Sequence, residues 1–126
     1  LKLCKKYHID ISPSEKRSPF LLHAKLGAYF AKKNYKVNDS KVLHAIQVHT
    51  TGEPKMNTLD KIIYIADYIE PNRKKASNLE KVRKMAFVDL DKTMLCILSD
   101  TLDYLKRKGG ELDPLTVETY KYFQSI

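Results

Sequence analysis

Cysteine is scarce, with Cys4 and Cys96 alone in 126 residues, far apart and in no CxxC pair. That excludes a disulfide-dense scaffold and favours a reducing cytoplasm with both thiols free. Cys96 reads as a core residue of a helix. Long apolar runs are missing as well. None approaches the roughly 20 residues that span a bilayer, and no signal-peptide pattern opens the chain. Apolar and polar residues nowhere alternate for long enough to form a strand. There is no internal repeat, low-complexity tract or dividing linker. Acid is the minority charge, 15 Asp and Glu against 23 Lys and Arg, leaving a formal charge of +8 and a pI near 9.4. A basic balance attracts polyanions, whether nucleic acid, anionic membrane or phosphorylated metabolite, without choosing among them.

What remains has the composition of an ordinary globular domain, 43% hydrophobic and 30% charged. Residues 1–126 suffice for one domain with one core. The chain opens on Leu1 rather than Met, so further sequence is expected upstream.

Helical periodicity predicts an all-α fold. Residues 1–8 read as the tail of a helix, followed by a polar connection through Ile9–Ser18. A helix is predicted from Pro19 to Asn34, with Pro19 suited to its first turn. Asn38 or Asp39 can cap a helix over Ser40–His49, and Asn57 or Thr58 one that ends at Pro71. A short helix over Leu79–Met85 follows. A long one from Asp89 to Lys108 is stopped by Gly109-Gly110, and the last begins near Pro114.

Three of these helices carry an ionisable residue where the apolar stripe should continue. His49 follows Val42, Ala45 and Ile46. Asp67 follows Leu59 and Ile63. His23 precedes Leu26 and Phe30. A buried carboxylate without a partner protonates or acquires a cation. Two imidazoles and a carboxylate meeting inside a bundle would supply a divalent metal site. Taken singly, each residue has a plainer reading. His49 is a core histidine bonded to a carbonyl, His23 sits at a helix edge, and Asp67 pairs with Lys61 or with an arginine from another helix. His8 and His44 lack this placement and read as surface residues.

The surrounding residues carry a resemblance. Leu21-Leu22-His23-Ala24-Lys25-Leu26-Gly27-Ala28 resembles an LLHxxxGA helix. His44-Ala45-Ile46-Gln47-Val48-His49-Thr50-Thr51-Gly52 resembles an AIxxHTTG segment. The run from Leu59 through Asp67 to Pro71, followed by Arg73, is similar to LxKIxxxADYIEPxR. Lys108-Gly109 through Pro114, Thr116 and Glu118 is similar to KGxxIHPxTVE. In this order the four blocks are those of the YqeK-type symmetrical diadenosine-tetraphosphate hydrolases of the HD superfamily.

The resemblance implies an HD-domain helical bundle that binds iron or another divalent cation and splits diadenosine tetraphosphate into two ADP. It makes Asp67 the late metal-ligand aspartate and sets His23 and His49 at the phosphates or at a second metal. Arg73 becomes a phosphate clamp, because a guanidinium fork matches phosphate oxygens. Gly110, Glu111, Leu112, Asp113, Pro114 and Leu115 fall in a stretch that contacts nucleotide. Asp113 stands where the family usually has histidine. The early His and the adjacent His-Asp pair of the family do not occur in the chain, and these further ligands are expected upstream of Leu1. A fused nicotinate-nucleotide adenylyltransferase domain precedes this one in some relatives, and a homodimer is compatible with the resemblance. Another nucleotide phosphohydrolase or phosphodiesterase of the superfamily is the alternative enzyme. A non-catalytic basic module, with Lys32-Lys33 and Arg73-Lys74-Lys75 tracking phosphates, is the alternative of another class. Aromatic residues follow helical stripes rather than interleaving with these lysines, which disfavours nucleic acid as the ligand.

Overall fold

The computed structural model describes residues 2–17, 19–72 and 78–126. Eight α-helices account for its regular structure: α1 (Lys2–Lys6), α2 (Pro13–Arg17), α3 (His23–Asn34), α4 (Ser40–Val48), α5 (Thr58–Tyr68), α6 (Leu79–Met85), α7 (Leu90–Arg107) and α8 (Pro114–Ser125). A 3-10 turn over Pro19–Leu22 leads into α3. The described residues contain no strand, and none of their helices is long and apolar enough to cross a membrane. The expected all-α fold is what forms.

Helix starts follow from local chemistry. The Asp39 side chain accepts the amide of Lys41 at the head of α4. Asn57 and Asp60 exchange side-chain and backbone bonds in a capping box at the head of α5. Asp89 accepts the Lys92 amide to start α7, and Asp113 accepts that of Leu115, with Pro114 in the first turn of α8. α7 ends before Gly109, whose φ of +70° is the left-handed backbone that closes helices.

α7 is the hub. It packs against α5, α6 and α8, while α4 lies between α3 and α5. Val48, Met56, Tyr64, Ile65, Val82, Met94, Ile97, Leu98 and Phe123 form the buried core, and Cys96 packs at its edge. Two polar ties fix α5 within this frame. Lys61 reaches Asp91 of α7 at 2.8 Å. Arg83 of α6 donates to the carbonyls of Ile69 and Glu70 at 3.2 and 2.9 Å, satisfying acceptors at the C-terminal end of α5. That end carries Asp67.

One helix was not expected. The polar connection before Pro19 folds as α2, started by a reciprocal pair in which Ser12 donates its amide to Glu15 and Glu15 donates its amide to Ser12 Oγ. Lys25 of α3 then holds Glu15 at 2.8 Å and the Asp10 carbonyl at 2.9 Å. Five residues cannot sustain a helix by propensity alone, so tertiary contacts maintain this one.

Candidate functional site

His23 opens α3 and His49 closes α4, and the packing of these two helices brings the rings together. The Nε2 atoms are 3.2 Å apart, and the rings meet edge to face with centroids 5.1 Å apart. Thr50 Oγ1 lies 3.1 Å from His23 Nε2. His49 Nδ1 is 2.5 Å from the carbonyl of Ile46. A carbonyl only accepts, so Nδ1 carries the hydrogen and Nε2 of the neutral ring presents its lone pair toward His23. The plain reading of His49 as a carbonyl-bonded histidine thus holds for one ring nitrogen and leaves the other directed at His23.

This is the arrangement of histidines that bind cations, with one nitrogen anchored on backbone and the other turned to the ligand. Metal–nitrogen bonds of about 2.0–2.1 Å set neighbouring ligands roughly 3.0–3.4 Å apart at tetrahedral or octahedral angles. The His23–His49 pair therefore fits a divalent cation, and its protonated form equally fits an anionic oxygen.

Burial differs from the stripe analysis. His23 is exposed and does not face inward; its neighbours Leu22 and Ala24 are the buried residues, at 1% and 3% exposure. His49 is half-buried. Asp67 is exposed, as are Ala66, Ile62 (46%) and Ile63 (37%) on the same face of α5. Among the described residues, that apolar face of α5 is half-buried at Leu59 and stands open at Ile62, Ile63 and Ala66. The Asp67 side chain makes no hydrogen bond or ion pair among the described residues, and Lys61, its suggested partner, pairs with Asp91 instead. Its charge is felt by Tyr64, whose hydroxyl is pushed up first by burial and then by Tyr68 and Asp67. Arg73 lies outside the described residues.

The stretch from Gly110 to Leu115 is held by α2. Arg17 grips Glu111 at 2.5 Å, and Ser14 Oγ donates to Asp113 at 3.2 Å. Asp113, where the family has histidine, caps α8 here. Behind the histidines, Gly52 has a φ of +72°, and a Cβ built on it would lie 2.8 Å from Thr119 Cγ2. Gly52→Ala is expected to destabilise the fold by about 2–3 kcal/mol, from left-handed strain plus the clash with α8. An unchanged thermal midpoint would contradict this packing.

His44 is not a free surface residue. Its two ring nitrogens lie 2.7 Å from Glu53 Oε1 and 3.1 Å from Asp60 Oδ1. Asp60 is 1% exposed. The Asn-x-x-Asp spacing before α5 is the sequence signal that could have singled it out.

The sequence pattern of the HD domain matches residues 4–72, a span that includes His23, His49 and Asp67. The chain belongs to the HD-domain family. Among curated relatives, the protein of Halalkalibacterium halodurans named symmetrical bis(5'-nucleosyl)-tetraphosphatase is 45% identical over 100 residues, covering 79% of this chain and 53% of that protein. Its namesake from Bacillus subtilis is 40% identical over 108 residues, covering 86% and 58%. The crystal structure of an HD superfamily hydrolase from Clostridium acetobutylicum, described as involved in NAD metabolism, superposes with a TM-score of 0.92 at 40% identity. That match covers 98% of this chain and 65% of the other. The HD chain described here spans about half the length of the curated relatives it matches.

Proposed function

We propose that the full-length protein is a cytoplasmic, metal-dependent hydrolase that cleaves diadenosine tetraphosphate symmetrically into two ADP. The observation that supports this reading is the pairing of His23 and His49, with the second ring anchored at Ile46 and the two Nε2 atoms 3.2 Å apart. Relatives bearing the tetraphosphatase name at 40–45% identity support the substrate class.

Asp67, His23 and His49 are the residues of this chain that would hold the cation or the phosphates next to it. Further ligands would come from upstream sequence, packed on the exposed Ile62–Ile63 face beside Asp67. A divalent cation, with iron the ion implied by the resemblance, would supply Lewis acidity and an activated water. The residues described here do the rest. His49 is oriented by its Nδ1 bond to a backbone carbonyl. His23, in its protonated form, donates to a nonbridging phosphate oxygen, with the Thr50 hydroxyl beside it. Arg73 would clamp a second phosphate, the kind of electrostatic contribution that dominates phosphoryl transfer. Water adds to one of the two central phosphorus atoms as the bridging P–O bond to the other breaks, so one ADP leaves as a stable anion and the second carries the oxygen of that water.

Product analysis tests the reading directly. Full-length protein with added divalent cation is expected to convert diadenosine tetraphosphate to ADP as the sole nucleotide product. ATP and AMP in equal amounts would sink the symmetrical assignment, and no turnover would sink the hydrolase reading.

A further inference from the structure

Five residues before His49, α4 carries another histidine whose ring stands between two carboxylates. His44 Nε2 is 2.7 Å from Glu53 Oε1, on the connection between α4 and α5. Nδ1 is 3.1 Å from Asp60 Oδ1, in the first turn of α5. The other oxygen of Asp60 accepts the amide of Asn57 at 3.2 Å. One ring therefore ties α4 to the middle and to the far end of the connection that carries Thr50, Thr51 and Gly52.

A neutral imidazole has a single N–H. Between two carboxylates it donates to one and turns a lone pair on the other; only the imidazolium donates to both. The three donor atoms lie within 4.8 Å of one another. Because the ring stands between the acids rather than beside them, a proton suffices to hold the cluster. Desolvation by itself lowers the affinity of His44 for its proton. Asp60 and then Glu53 outweigh it, so the pKa lies above the ordinary 6.5. Among the described residues, these two are the charged groups acting on the ring. α3, packed on α4 through Gly27 and Ile46, contributes none.

We infer that His44 is a positioning residue for the histidine site: its imidazolium clasps Glu53 and Asp60 and holds the α4–α5 connection so that His49 and Thr50 face His23. Its bearing on turnover rests on the hydrolase reading; the clasp itself does not. The sign follows from the raised pKa. The stabilisation is complete below the ordinary imidazole value and is lost as pH rises through the raised one. The connection loosens on the alkaline side.

The test uses the full-length protein as wild type, Glu53→Gln and His44→Gln. Side-chain NMR titration of His44, amide exchange of residues 50–57, and kcat and KM for diadenosine tetraphosphate are followed across pH. His44 is expected to titrate above the free imidazole value, and Glu53→Gln to bring it down. Amide exchange across residues 50–57 should quicken above the wild-type midpoint, and at all pH values in His44→Gln. Misplacing the site costs kcat more than KM, about tenfold, and moves the alkaline limb of the rate profile. An ordinary titration midpoint, or exchange indifferent to pH and to both substitutions, overturns the clasp. Titration and exchange as the clasp requires, with rates unchanged in both variants, overturn the positioning role. Absent turnover in the wild type, with the clasp detected, overturns the hydrolase reading and the positioning role, leaving the clasp as a structural element only.

Discussion

Replacing Asp67 by alanine in the full-length protein is expected to strip the bound cation and to lower hydrolysis by about 10³-fold, the upper range for losing one group that steadies transition-state charge. Stability should hardly move. Asp67 is exposed and its side chain makes no hydrogen bond or ion pair among the described residues, and changes at such positions usually fall within about 0.5 kcal/mol. The helix end beneath it is fixed independently, through Arg83 and the carbonyls of Ile69 and Glu70. Metal content by elemental analysis, helicity by circular dichroism and turnover, measured on one preparation, separate the two effects. Retained metal with full activity would remove Asp67 from the site. Melting with loss of helicity would recast it as a structural acid.

The second large effect belongs to His49. Its alanine variant should lose about 10²-fold in kcat/KM, because the lone pair directed at His23 and its anchor on Ile46 disappear together. A glutamine there retains bulk and a donor but not the fixed ring, so it should recover little. His8 sits in a left-handed turn (φ 58°), remote in sequence from every residue of the proposed site, and His8→Ala supplies the control. Equal losses at positions 8 and 49 would mean that the assay reads folding rather than chemistry. A rate unaffected by His49→Ala would leave the His23–His49 contact without a catalytic purpose.

Much of the fold was written in spacing that sequence alone displays. Asp39 and Asn57 start their helices where cap chemistry puts them, and α6 occupies Leu79–Met85 as its periodicity requires. The meeting of His23 with His49 was foreshadowed by two separated motifs, since neither helix by itself tells where the other will pack. α2 has a local start signal in the Ser12-x-x-Glu15 pair, but so short a helix persists only through tertiary support that spacing does not display: Lys25 on Glu15, and Asp113 accepting from Ser14. On α5, Leu59, Ile63 and Asp67 share a face as their spacing indicates, yet Ile63 and Asp67 stand exposed there among the described residues. Periodicity names the greasy face of a helix but not whether a neighbour lies on it. His44 was passed over for a related reason. It lies off the stripe of α4, and its carboxylate partners belong to later turns whose side chains no local rule aims at it.

Gly52 resting on Thr119 has a consequence for how the molecule comes into being. The turn that presents His49 leans on a residue of α8, far downstream in the sequence. A nascent polypeptide can wind α3 and α4 before α8 has been made, yet the backing of that turn arrives only with α8. The histidine pair is thus seated later than the helices that carry it.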